Sequence, residues 1–109
     1  MSLNLYAYLD TAPSLDDMRA TLATIGLVYR HTLPADSRWE YPMHVFGRGS
    51  LRVVYHAGDP LQSEALVDSS SAQETQQSWV AVQLVLTTLV RRYGGTIFDP
   101  RTVRRGAIL

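Results

Sequence analysis

Cysteine and lysine are both missing from this chain of 109 residues. Without cysteine there is no disulfide framework, no thiol nucleophile and no thiolate-ligated zinc or iron–sulfur site. Without lysine there is no Schiff-base amine and no lysine for a phosphate-binding P-loop. The 10 basic residues are therefore all arginine, and 10 acidic residues balance them to a net charge of zero. A neutral chain has no overall field that would steer it to a polyanion, and little charge repulsion to oppose self-association. Long apolar runs are also missing. No window holds the ~18 apolar residues of a membrane-spanning helix, and Met1-Ser2-Leu3 does not begin a charged and then apolar leader. The expectation is a cytoplasmic protein without a membrane partner. Apolar residues make up 46% of the chain, enough for a core, and its length suits one domain over 1–109, with 100–109 as a basic tail.

What is present reads as alternating strands and helices. Leu3, Leu5, Ala7 and Leu9 alternate with Asn4, Tyr6, Tyr8 and Asp10, the period of a half-buried strand. After Thr11-Ala12-Pro13, Ser14 can cap a helix with Asp17 three residues on, and Leu15, Met18, Leu22 and Ile25 form its apolar stripe up to Gly26. Leu27 to Leu33 reads as a second strand whose inward face is ambiguous, since Leu27, Tyr29 and Leu33 argue against Val28. A Pro-bounded loop from 34 to 42 carries Trp39 and Tyr41. Met43 to Phe46 and Leu51 to His56 flank Gly47-Arg48-Gly49-Ser50 as a hairpin. Glu64 to Asp68 reads as a short edge strand.

Ser69-Ser70-Ser71 then reads as the opening of a long helix, with Ser71 and Glu74 as a capping box. Residues 72–93 hold no glycine or proline, and Trp79, Val82, Leu86, Leu89 and Tyr93 fall at helical spacing. Ala81, Val85, Val80 and Leu84 widen that stripe, which predicts burial over much of the helix; truncation of a fully buried Trp79 would cost ~3–5 kcal/mol. Gly94-Gly95 end the helix, Thr96-Ile97-Phe98 form a last strand, and Asp99-Pro100 turns into a tail bearing Arg101, Arg104 and Arg105.

Reduced to its main elements, this order predicts an α+β fold: a ferredoxin-like βαββαβ sandwich with two helices on one face of an antiparallel sheet and an extra hairpin or edge strand in the middle. The inward set is then Leu5, Ala7, Leu9, Leu51, Val53, Tyr55 and Ile97. The other face carries Tyr6, Tyr8, Arg52, His56 and Phe98, with Val54 among them. An exposed aromatic face with two basic groups is the sequence's main candidate for a contact surface.

Other chemistries find little support. His31, His44 and His56 are spaced 13 and 12 apart, unlike the close pairs of metal sites. No Gly-x-Ser-x-Gly elbow positions a serine. Gly47-Arg48-Gly49-Ser50 lacks the spacing and lysine of a phosphate loop. Asp59 and Glu64 could pair as carboxylates, but a Gly-Asp-Pro turn accounts for Asp59. Arg48, Gly49, Val53 and Tyr55 match a degenerate RNA-recognition signature, but Ser50 and Arg52 stand where its stacking aromatics belong. No cofactor, metal or catalytic residue is expected.

Charge is uneven. Residues 91–109 hold five arginines against Asp99, a net +4, so the remaining 90 residues sum to −4. The tail arginines can keep an apolar end soluble, pair with Asp16, Asp17 or Glu74, or join acidic and basic parts of two copies.

The helix running into Tyr93-Gly94-Gly95-Thr96-Ile97-Phe98-Asp99-Pro100 resembles an element of small uncharacterised bacterial α+β proteins, some of them immunity-like. It covers about a fifth of the chain. The resemblance implies an acidic surface that meets a basic partner. The expected function is thus a non-enzymatic binding module, acting as a homodimer or against a protein partner through Tyr6, Tyr8, Arg52, His56 and Phe98. The alternatives are a dimeric ferredoxin-like enzyme of monooxygenase type, using His31, His56 or Trp39, and a weak nucleic-acid binder using Arg101, Arg104 and Arg105.

Overall fold

The computed structural model describes residues 3–36, 40–57 and 65–99. Its elements run β1 (Leu3–Leu9), α1 (Leu15–Ala23), β2 (Val28–Leu33), β3 (Met43–Arg48), β4 (Leu51–Ala57), β5 (Ala65–Ser71), α2 (Gln76–Tyr93) and β6 (Gly95–Phe98). The strands form one antiparallel sheet in the order β2-β3-β4-β5-β1-β6. Both helices pack on one face of it, as their shared core with β1, β4 and β5 shows.

The α+β class and the antiparallel sheet with helices on one face match the reading of the sequence. The six-stranded order is not the bare four-stranded βαββαβ plan, because two further strands take part in the sheet. The hairpin β3–β4 is wedged into the sheet between β2 and β5, where the reduced plan treated it as an extra. The segment expected as a short edge strand is the interior strand β5, paired with β4 on one side and β1 on the other.

The serines explain the difference. Ser69 and Ser71 continue the alternation of Ala65 and Val67 on the core face of β5, and Ser69 is fully buried. Its hydroxyl donates to the Val82 carbonyl at 3.1 Å, so a small polar side chain sits under α2 without an unmet donor. Three serines in a row therefore extend a strand here and do not open a helix. The helix begins later, at Gln76, capped by Thr75, whose hydroxyl accepts from the Ser78 amide at 3.1 Å.

Other local readings hold in part. Ser14 caps α1 by accepting from the Asp17 amide at 3.1 Å. The β3–β4 hairpin turns at Gly49-Ser50, with Gly49 at φ 58, and Gly47 and Arg48 belong to the strand. In β2, Tyr29 faces the core and Val28 faces solvent; a bulge between Tyr29 and His31 shifts the register of this edge strand. Helix α2 is buried over less of its circumference than its composition implies. Val82, Val85, Leu86 and Leu89 are buried, Trp79 is only partly so, and Val80 and Leu84 are exposed. Among the described residues, no helix is long and apolar enough to cross a membrane.

Candidate functional site

The period of two in each strand sorts the sheet into two faces, and the pairing registers align the face away from the helices in rows. One row runs Met43, His56, Leu66, Tyr8, Thr96. The next runs Val45, Val54, Asp68, Tyr6, Phe98, and a third runs Gly47, Arg52, Ser70, Asn4. Tyr6, Tyr8, Arg52, His56 and Phe98 thus share this face, where the alternation of β1 and β4 places them.

Three of them touch. Phe98 enters from β6 between the two tyrosines of β1, stacked on Tyr6 at 5.4 Å and on Tyr8 at 5.2 Å between ring centroids. Such offset stacking holds the rings in place beyond what their burial contributes, by ~0.5–1.5 kcal/mol per pair. The outermost ring is accessible, with Tyr8 54% exposed. Arg52 is exposed and His56 is half-buried, with burial pushing its imidazole below the ordinary value.

The centre of the face is less open than the sequence implies. Val45 and Val54 are buried at 4% and 8% exposure. Next to Val54 lies Asp68, half-buried, whose carboxyl is pushed up by burial and drawn part of the way back by the Arg52 charge. Asp68 Oδ1 and Asn4 Oδ1, two residues along on the neighbouring strand, are buried, and neither has a hydrogen-bond partner among the described residues. The Asn4 amide nitrogen donates to the Tyr6 hydroxyl at 3.3 Å. A buried oxygen without a donor costs ~1–3 kcal/mol, so Asp68 and Asn4 are polar groups placed here at some expense to stability. Neither residue was singled out from the sequence. The serine-rich stretch hid the strand, and with it the alternation that sets Leu66, Asp68 and Ser70 on this face.

The remaining candidates separate. His31 stands on the open face beside the bulge, and His44 faces the helical side, where its Nδ1 lies 2.8 Å from Thr32 Oγ1. No three metal-ligating side chains gather among the described residues. His31 and His56, the histidines of the monooxygenase-type reading, both stand on the open face, on β2 and β4 with β3 between them. Tyr55, the aromatic of the degenerate RNA signature, is 1% exposed on the core face and donates to the Pro13 carbonyl at 2.6 Å, so it cannot stack on a base. Arg91 and Arg92 lie in the last turn of α2, as read, and Arg92 meets Asp17 at 3.5 Å. Trp39, Asp59, Glu64, Arg101, Arg104 and Arg105 lie outside the described residues. Comparison with known proteins adds no relative to this picture: no family model matches the chain, and no curated protein resembles it.

Proposed function

We propose that this chain is a non-enzymatic binding module whose contact surface is the sheet face opposite the helices, used for a homodimer or a protein partner. The observation that carries the reading is the stack of Tyr6, Phe98 and Tyr8. An ordered aromatic cluster with an accessible outer ring loses little side-chain freedom on binding, which is why tyrosines dominate contact hot spots. Arg52 and His56 supply polar groups at the edge of the apolar centre. A net charge of zero adds no general repulsion between copies.

The test is light scattering on a sizing column over a dilution series, followed by capture of partners with the wild type and Tyr8→Ser as bait. Association weakened by more than ~1 kcal/mol in Tyr8→Ser supports the reading. Equal association by both proteins removes this face from the contact surface.

A further inference from the structure

We propose that the open sheet face is covered by the same face of a second copy of this chain, laid on it about a two-fold axis that runs parallel to the strands. The inference rests on the reading of this face as a contact surface and names its occupant and orientation.

The first observation is where the exposed apolar side chains stand. Tyr8 and Leu33 are 54% and 38% exposed. Both belong to one cross-strand row, Leu33, Met43, His56, Leu66, Tyr8, which runs from the edge strand β2 to β1. A two-fold axis parallel to the strands exchanges the two halves of the sheet and leaves each row at its own height. With the axis between the central strands β4 and β5, Leu33 and Met43 of each copy meet Tyr8 of the other. An aromatic ring and the aliphatic and thioether groups it packs well against thus stand at matching places on one surface.

The second is the division of charge. Among the described residues, the cations of this face stand in its β2–β4 half. Arg52 is exposed and in register with Gly47. Gly47 leaves room on the same face, and the exposed Arg30 lies across it, its Nε 3.5 Å from the position a Gly47 Cβ would take. His31, in register with Val45, is exposed beside them. The other half holds the stacked rings of Tyr6, Phe98 and Tyr8, and also Asp68, the one carboxylate within the described strands. An axis parallel to the strands lays His31 over Phe98 of the other copy and brings Arg30 beside its Tyr6, and aromatic faces attract such cations. An axis across the strands would instead lay the cations of the two copies on one another, which like charges oppose.

The third is shape and size. The centre of the face is flat, with Val45, Gly47 and Val54 all buried, as suits two sheets packed ~10 Å apart. Six strands spaced ~4.8 Å apart make the face ~24 Å wide, and five of them are six or seven residues, or ~20 Å, long. That outline of ~500 Å², enlarged by the relief of its side chains, suits the smaller specific interfaces, which bury ~600 Å² per partner.

The experiment mixes two variants of the full chain and reads dimer dissociation constants by analytical ultracentrifugation at neutral pH. A two-fold dimer holds the Leu33–Tyr8 contact twice. Leu33→Ser breaks both in its own homodimer, and Tyr8→Ser does the same in its own. Each is expected to weaken the dimer at least about fivefold. The mixed dimer keeps one contact whole, so it is expected to form more tightly than either variant's homodimer. Arg30→Gln removes a cation from each ring cluster and is expected to weaken the dimer by about threefold or more. A second measurement uses the absence of cysteine, which lets Thr96→Cys take a single spin label on exposed β6. Labelled copies at natural isotope abundance are mixed with unlabelled ¹⁵N copies, so NMR line broadening reports only between copies. It is expected around Leu33 and Met43.

A wild type that stays monomeric at hundreds of micromolar overturns the proposal, and leaves the face to be tested against a protein partner. Broadening centred on β6, or an Arg30→Gln dimer as tight as the wild type, overturns the orientation. If Tyr8→Ser weakens the dimer and mixing restores nothing, the axis fails and the contact face stands. If neither Tyr8→Ser nor Leu33→Ser weakens a dimer that does form, the proposal and the reading of this face fail together.

Discussion

The Tyr93 hydroxyl lies 2.6 Å from Asp17 Oδ2, fastening the end of α2 to the first turn of α1. Its proton goes to the carboxylate, so Thr21 Oγ1, 2.8 Å away, must be the donor in the second bond to the same oxygen. Tyr93→Phe therefore leaves the buried Thr21 hydroxyl without its acceptor, at an expected cost of ~1–3 kcal/mol in chemical denaturation. The Tyr93 bond, with help from Arg92, holds the Asp17 carboxyl below the ordinary range. A lowered carboxyl contributes stability above its unfolded value of about pH 4 and loses it as the pH falls through the folded value. The gap between wild type and Tyr93→Phe should accordingly shrink toward pH 3 without closing, because the Thr21 bond remains.

The histidines add a second pH dependence at a higher range. Burial holds both His44 and His56 below the ordinary imidazole value. The unfolded chain then takes up protons that the native chain refuses, so stability should fall as the pH drops from about 7 to 5. His44→Gln, which can still meet Thr32, should flatten part of that loss in thermal melts across this range. Asp68 acts in the opposite sense: its raised carboxyl favours the folded state below the unfolded value, a contribution lost as the pH rises through the folded one.

Two leucines on α2 separate composition from burial. Leu86 is fully buried and Leu84 is half exposed at 51%. Leu86→Ala is expected to cost ~2–5 kcal/mol, the transfer term plus the cavity it leaves. Leu84→Ala should stay within about 1 kcal/mol, since a surface truncation leaves no void. Trp79, only partly buried, should fall between them and below the ~3–5 kcal/mol of a fully enclosed aromatic. Urea titrations of the three variants give the ranking directly.

Gly95 controls the seat of the aromatic stack. Its φ is +141, and a Cβ there would collide with the Tyr8 carbonyl oxygen, a backbone atom that cannot step aside. Gly95→Ala should cost at least ~1–3 kcal/mol from the backbone conformation alone. It should also push β6 away from β1 and loosen Phe98 from Tyr6 and Tyr8, read as a weaker near-ultraviolet circular dichroism signal. Gly49→Ala is the control: φ is also positive, at 58, but a Cβ would meet open space, so a loss of about 1 kcal/mol without an aromatic change is expected.

Local chemistry sufficed for much of this. The alternation in Leu3–Leu9 placed Leu5, Ala7 and Leu9 inward and Tyr6 and Tyr8 outward, because a strand's side chains can only alternate. Ser14 before Asp17 marked the start of α1, and Gly94-Gly95 marked the end of α2, because orphan helix amides and left-handed turns demand those residue types. The same alternation put Arg52 and His56 with the tyrosines. What the sequence could not state is which strands are neighbours. Ser69 can cap a helix or line a strand with equal ease, and only the Val82 carbonyl waiting above it decides for the strand. That choice makes β5 an interior strand, seats β1 between β5 and β6, and sets Asp68 beside Tyr6 and Asn4. Pairing between distant segments is decided by which arrangement buries the most surface and meets the most polar groups at once. That sum exists only for the assembled sheet.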